Sequence, residues 1–224
     1  MKVILLSYTK DAERLCAAAA HSCYSPDPAS EILEGVEDGK AGKFIDRVVG
    51  MGHHSVIEHA SYTFSLEGVS RSLTHQLVRH RIASFSQQSQ RYVSLLEPDY
   101  VVPETVRDNP EALKTFEEAM EKAWEAYQKL STMVPVEDAR YVLPNACTTN
   151  IVVTMNAREL WHFFTLRTCR RAQWEIRAAA ELMLMEVRRV SPTIFRDAGP
   201  ACLRGKCPEG KLSCGKPRVE LRFK

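Results

Sequence analysis

Apolar spacing in this chain switches irregularly between a period of two and one close to 3.6, and the order of the switches excludes most regular architectures. Residues 2–8 form a short apolar run that predicts a strand. Residues 9–20, Ala-rich with Leu15, predict a helix broken by Ser25-Pro26-Asp27-Pro28. A second helical pattern runs over 40–51 through Phe44, Ile45, Val48 and Val49, closed by Gly50 and Gly52. Residues 60–69 alternate, with Tyr62, Phe64, Leu66 and Gly68 on one face, and predict a strand. Residues 70–81 return to helical spacing, with Leu73 and Leu77 on one face and Arg71, His75 and Arg79 on another. Residues 82–109 predict loop, ending in a segment marked by Pro98 and Pro103.

The second half is more helical. Pro110 opens a helix over 110–131 carried by Leu113, Phe116, Met120, Trp124, Tyr127 and Leu130. A short helix over 135–142 stops at Pro144, and the β-branched run 147–155 predicts a strand. Two more helices cover 156–168 and 173–190, the last ended by Pro192. Few strands stand among many helices, without βαβ alternation, so the pattern argues for an α+β fold and against a doubly wound sheet.

A chain of 224 residues allows one large domain, or one with a small appendage. The formal charge of +2 does not mark a nucleic-acid binder, so any anion site must be a local cluster of cations. The N-terminal apolar run is too short for a signal peptide, and no stretch is long enough to span a membrane; a cytoplasmic protein is expected. The seven cysteines, an odd and scattered set, fit free thiols in a reducing compartment. Residues 199–224 are rich in Gly, Pro, Cys and Lys and read as an irregular appendage to a domain spanning 1–198. The gaps between Cys202, Cys207 and Cys214 match no zinc spacing.

The densest chemistry lies at 79–91, Arg-His-Arg-Ile-Ala-Ser-Phe-Ser-Gln-Gln-Ser-Gln-Arg. Arginine forks match phosphate oxygens bidentately, Ser donors complete an anion cradle, and Gln both donates and accepts, as the imide edge of a pyrimidine requires. The plain alternative has Arg79 and Arg81 capping a helix C-terminus, with Gln and Ser filling a solvated loop. His80 between the arginines, and polar residues continuing to Arg91, count against it.

Arg79-His80-Arg81, then seven residues, then Ser89 and Arg91, resembles the signature of the flavin-dependent thymidylate synthases. Gly52-His53-His54-Ser55-Val56-Ile57-Glu58-His59 resembles that family's His-x-Ser/Thr-x-x-Glu-His segment. Asp138-Ala139-Arg140-Tyr141-Val142-Leu143-Pro144 resembles its Ala-Arg-x-x-Leu-Pro segment. Asn156-Ala157-Arg158-Glu159-Leu160, then Leu166-Arg167 and Ala172-Gln173-Trp174-Glu175-Ile176, resemble its Asn-Ala-Arg…Leu-Arg…Ala-Gln-Trp-Glu-Ile block. The matches come in family order over roughly residues 40–195, which makes the resemblance specific. Ser86-Gln87 departs from a common form of the motif, which carries Asn-Glu; Gln87 keeps hydrogen-bonding capacity and loses the charge.

The resemblance implies a single domain of helices mixed around a small antiparallel sheet. It also implies an enzyme that makes dTMP from dUMP, with 5,10-methylenetetrahydrofolate as carbon donor, reduced FAD as hydride donor, NADPH as reductant and tetrahydrofolate as product. By resemblance FAD is bound by His53, Ser55, Glu58, Arg79, His80, Arg81, Gln87, Asn156, Arg158 and His162. The dUMP site takes Gln76, Arg79, Gln87, Gln88, Ser89, Gln90, Arg91, Arg140 and Arg167, with Arg167 the catalytic group that steadies negative charge on the pyrimidine. The family implies a homotetramer with FAD sites shared between subunits, no metal, no nucleic-acid partner and no membrane association. Two other readings remain beside it: a non-catalytic nucleotide or RNA clamp, and a metal-dependent hydrolase built on His53, His54, Glu58 and His59. The spacing of the latter set is not His-Glu-x-x-His. Asn156 also suits a helix N-cap, and Trp161 and Trp174 suit the core.

Overall fold

The computed structural model describes residues 1–93, 97 and 99–219; residues 94–96, Pro98 and residues 220–224 lie outside the described residues. Four strands, β1 (Lys2–Tyr8), β2 (Ser61–Ser70), β3 (Ala83–Gln87) and β4 (Thr148–Asn156), form one antiparallel sheet in the order β1-β2-β4-β3. The alternation in β2 and β4 sends Tyr62, Phe64, Leu66, Ile151, Val153 and Met155 to a single buried face. The opposite face carries hydroxyls, among them Thr63 and Thr154, whose Oγ1 atoms lie 2.9 Å apart across the strands.

The helices are α1 (Ala12–His21), α2 (Ala29–Gly35), α3 (Asp38–Gly50), α4 (Arg71–Leu77), α5 (Glu104–Arg107), α6 (Pro110–Ser131), α7 (Val136–Ala139), α8 (Ala157–Arg167) and α9 (Trp174–Val190). α4, α8 and α9 pack on the apolar face of the sheet. There Leu73, Leu77, Phe163, Phe164, Ile176 and Leu184 complete the core. This is the expected α+β arrangement of helices around a small antiparallel sheet.

The structure corrects the sequence reading at several points. Gly68 does not continue the inward row of β2. A bulge between Leu66 and Val69 places Gly68 at φ 62°, and Val69 turns inward in its place. Within the expected loop 82–109 lie β3 and α5; β3 escapes notice because its outward positions are Ser84 and Ser86, and it pairs with β4 alone. Apolar spacing does not predict α2, which buries no residue. The expected helix over 70–81 stops at Leu77, and the 135–142 segment divides into α7 and a 3-10 turn, Arg140–Val142. A further 3-10 turn spans His54–His59.

The buried Glu175 carboxylate of α9 accepts from Ser70 N (2.8 Å) and Ser70 Oγ (2.5 Å), and Ser70 Oγ accepts from Leu73 N to cap α4. This contact fixes where α4 starts, and therefore where the Arg-His-Arg run emerges.

Candidate functional site

α4 ends in tight turns, Arg79 N to Gln76 O and His80 N to Leu77 O, because the chain must reverse to pair β3 with β4. The reversal drives His80 inward to 4% exposure while Arg79 and Arg81 stay at the surface. Asn156, the last residue of β4, starts α8 by accepting Glu159 N on its Oδ1 at 2.9 Å. α8 then sends Arg158, Glu159, His162 and Arg167 toward the same region.

These residues enclose a cleft of about 700 Å³ lined by Glu58, Arg79, His80, Arg81, Ile82, Asn156, Arg158, Glu159, His162, Leu166 and Arg167. The guanidinium groups of Arg79, Arg81, Arg158 and Arg167 face only two carboxylates, Glu58 and Glu159, so the cleft carries excess positive charge. Glu58 pairs with Arg158. Arg79 and Arg81 form no ion pair among the described residues. Ile82 (68% exposed) and Leu166 (44%) add an apolar surface. Unpaired guanidinium donors beside exposed aliphatic carbon suit a ligand that joins anionic oxygens to a flat, largely apolar ring.

At the inner wall, His80 Nδ1 lies 3.1 Å from Glu159 Oε1, and Arg167 Nε donates to His80 Nε2 at 3.1 Å. Arginine has no acceptor, so Nε2 must present its lone pair and the single imidazole proton must sit on Nδ1, facing Glu159. Burial, with the charges of Arg167 and His162 beside it, pushes the His80 pKa down to about 4, so the ring is neutral at physiological pH. Burial raises the Glu159 pKa, opposed by His162, and burial lowers that of Arg167. Arg167 Nη2 also donates to Gln76 O at 3.3 Å, leaving its other N–H groups uncommitted.

A second cluster gathers Arg91 and Arg140. Glu137 in α7 accepts from Arg91 Nε on Oε2 (2.7 Å) and from Arg140 Nε on its carbonyl (3.0 Å). Arg71 Nη2 donates to Gln88 O at 2.8 Å, and Arg140 lies close enough to lower the Arg71 pKa after burial has done so first. Ser89 Oγ accepts from Arg91 N at 3.1 Å, with Gln90 between them in the same turn. Gln87 points to the core face, where its Nε2 donates to Thr74 Oγ1 (3.0 Å) and Thr149 Oγ1 (3.4 Å). Gln76 contributes its carbonyl, and its side chain donates to Ser72 O at 3.4 Å.

The structure therefore brings Glu58, Arg79, His80, Arg81, Asn156, Arg158, His162 and Arg167 into one cleft. It sets Gln88, Ser89, Arg91 and Arg140 in another group, outside the cleft lining. His53, just before the His54–His59 turn, and Ser55, within it, are exposed and do not line the cleft. His54 packs its ring 5.2 Å from Trp161, and among the described residues no group of His, Cys, Asp and Glu is placed to hold a metal ion. Trp161 is buried and donates to Ile194 O at 2.8 Å. Sequence reasoning missed Glu159, Glu137 and Arg71. Glu159 stands three residues after the N-cap Asn156, where a capping box would turn it back on its own helix, yet its carboxylate reaches His80. Glu137 reads as an ordinary first-turn acid.

Residues 4–193 match the profile of the family described as "Thymidylate synthase complementing protein". The chain is 54% identical over 219 residues to the flavin-dependent thymidylate synthase of Geobacter sulfurreducens, covering 96% of this chain and 94% of that one. It is 49% identical over 210 residues to that of Sulfolobus acidocaldarius, covering 91% and 78%. Among solved structures it resembles the UMP/dUMP methylase PolB from Streptomyces cacaoi bound with 5-Br dUMP, with a TM-score of 0.77 at 26% identity over 87% of this chain and 93% of that one.

Proposed function

The chain belongs to the flavin-dependent thymidylate synthases, and on that premise we propose how its residues divide the conversion of dUMP to dTMP. It is an enzyme, a transferase that methylates the pyrimidine of dUMP and depends on a flavin. In our reading the flavin is FAD, the carbon comes from 5,10-methylenetetrahydrofolate, tetrahydrofolate leaves, and NADPH recharges the flavin. FAD, when bound and reduced, would supply the hydride that side chains cannot, taking the transferred carbon to methyl.

The donor set of the cleft fits FAD. The unpaired guanidinium groups of Arg79 and Arg81 match pyrophosphate oxygens, and Ile82 and Leu166 offer carbon to a flat ring. Asn156, Arg158, His162 and Glu58 share that wall, with His53 and Ser55 at its margin, while Gln87 reaches either ligand only by leaving Thr74. Arg91 and Arg140, gathered by Glu137, hold the dUMP phosphate with Gln88, Ser89 and Gln90. Gln76, Arg79 and Arg167 address the base. Arg167 is the catalytic residue: its uncommitted N–H groups stabilise the negative charge that develops as the pyrimidine carbon becomes nucleophilic.

No side chain acts as nucleophile. Ser89 Oγ is engaged by Arg91 N and contacts no base among the described residues. Cys147 is buried, and burial raises its thiol pKa, so it stays protonated. The active form is a cytoplasmic homotetramer in which copies share the FAD sites; the nearly bare rings of Tyr92 (81% exposed) and Tyr141 (82%) beside the second cluster support such an interface.

The observation that carries this reading is the positively charged cleft with Arg167 anchored at its inner wall. Purified protein titrated with FAD should turn yellow, bleach with NADPH, and convert dUMP to dTMP when methylenetetrahydrofolate is added. A colourless protein that binds polyanions in a salt-dependent way and makes no dTMP would overturn it.

A further inference from the structure

Glu159, His80 and Arg167 form a line of three side chains along the cleft wall, with Glu159 and His80 nearly buried in it. Glu159 is 6% exposed and His80 is 4% exposed. The ring of Phe163 stands edge-on to His80 at 5.0 Å, and that of His162 lies 5.8 Å away. Both imidazole nitrogens are spent inside the protein, one toward Glu159 and one on Arg167. His80 therefore has no ring nitrogen free to hydrogen-bond a cofactor.

We infer that Glu159 is a positioning residue that, through the neutral Nδ1-protonated imidazole of His80, aims the Arg167 guanidinium into the cleft. This inference rests on the role assigned to Arg167 above. A carboxylate in direct contact with Arg167 would occupy two N–H donors and neutralise the charge that the substrate needs. The interposed imidazole takes one donor only, Nε–H, and keeps the anion one ring away. Gln76 O takes a second N–H, so two fixed acceptors set the plane of the guanidinium while its other donors face the cleft. The flexible arginine stem is thus ordered during folding rather than during turnover. His80 depends on Glu159 in turn: without an acceptor at Nδ1, the ring can flip to the tautomer with hydrogen on Nε2, which repels the Arg167 N–H.

Three measurements test this. Long-range proton–nitrogen NMR of the folded chain without dUMP or FAD should show His80, assigned by its loss in His80→Gln, as the Nδ1–H tautomer at neutral pH. An Nε2–H tautomer or an imidazolium there would refute the arrangement whatever the protein catalyses. In the FAD-loaded enzyme, Glu159→Leu should lower kcat on the order of 10- to 100-fold, the cost of a misplaced catalytic group. The rate of flavin reduction by NADPH should fall far less than kcat does, because the guanidinium groups of Arg79, Arg81 and Arg158 are untouched. Glu159→Gln, whose amide oxygen still accepts from Nδ1–H, should recover most of the loss. In an Arg167→Lys background Glu159→Leu should cost little more, since it acts through Arg167. Losses that multiply independently, or a Glu159→Leu enzyme with unchanged kcat, would overturn the inference. A wild-type protein that makes no dTMP would instead overturn the function, leaving the NMR result to judge the relay. If Glu159→Leu does not fold, the tautomer seen by NMR in the wild type decides the relay.

Discussion

His80 carries its charge state as a consequence of where the chain places it. A histidine free in an unfolded chain titrates near 6.5, whereas burial, with Arg167 and His162 beside it, holds it near 4 in the fold. As pH falls below about 6.5 the unfolded chain takes up this proton first, so folding loses stability down to about pH 4, where the folded ring also titrates. The loss between pH 7 and pH 4.5 is about 2–3 kcal/mol from this ring alone, a figure reduced by any relaxation around it. Urea unfolding at the two pH values should show it in the wild type and show a smaller difference in His80→Gln. An equal acid sensitivity in both would mean that His80 is not buried neutral. The arginines behave differently. Arg79 and Arg81 keep the exposure their sequence suggests, while Arg91 and Arg140 are organised by Glu137, whose role no local pattern announces.

Helix termini connect local sequence to the site. Asn109 caps α6 through Glu111 N (3.1 Å) and Ala112 N (3.2 Å), and Asn156 caps α8 through Glu159 N (2.9 Å). The two caps are chemically alike, and replacing either by alanine should cost about 1 kcal/mol of stability. Their functional consequences differ because only Asn156 lines the cleft, and its cap holds the turn that carries Glu159. Asn109→Ala should lower the thermal midpoint and leave dTMP formation unchanged, whereas Asn156→Ala should lower both. Equal activity in the two variants would separate the α8 cap from the site. Pro110 and apolar spacing made α6 legible in advance, Asn156 the start of α8, and Pro192 the end of α9. β3 was not legible, because its inward row of Ala83, Phe85 and Gln87 includes an amide whose interior partners, Thr74 and Thr149, are contributed by α4 and β4.

Across the whole molecule, the segment after Gly199 is tied down by cations. Arg204 donates to Asp197 O (2.8 Å), Gly199 O (3.0 Å) and Thr165 Oγ1 (3.0 Å), with its guanidinium 5.1 Å from the Trp161 ring centroid. Arg171 pairs with Glu209 at 2.5 Å and Arg218 with Glu181 at 2.6 Å. We propose that residues 199–224 are an appendage to the domain of 1–198. Arg204→Ala should then lower stability by about 1–2 kcal/mol and speed proteolysis after Gly199, with FAD binding unchanged. Loss of FAD binding with the tail would place the tail within the site. By itself the sequence determined the class of fold, the two central strands, the long helices and the guanidinium-rich loop, because periodicity, caps and charge density are properties of near neighbours in the chain. Only the tertiary structure decided that Glu159 meets His80 across 79 residues, that Gln87 turns inward and that Glu137 joins Arg91 to Arg140. Those pairings arise from burial, where a polar group must take whatever partner packing brings to it.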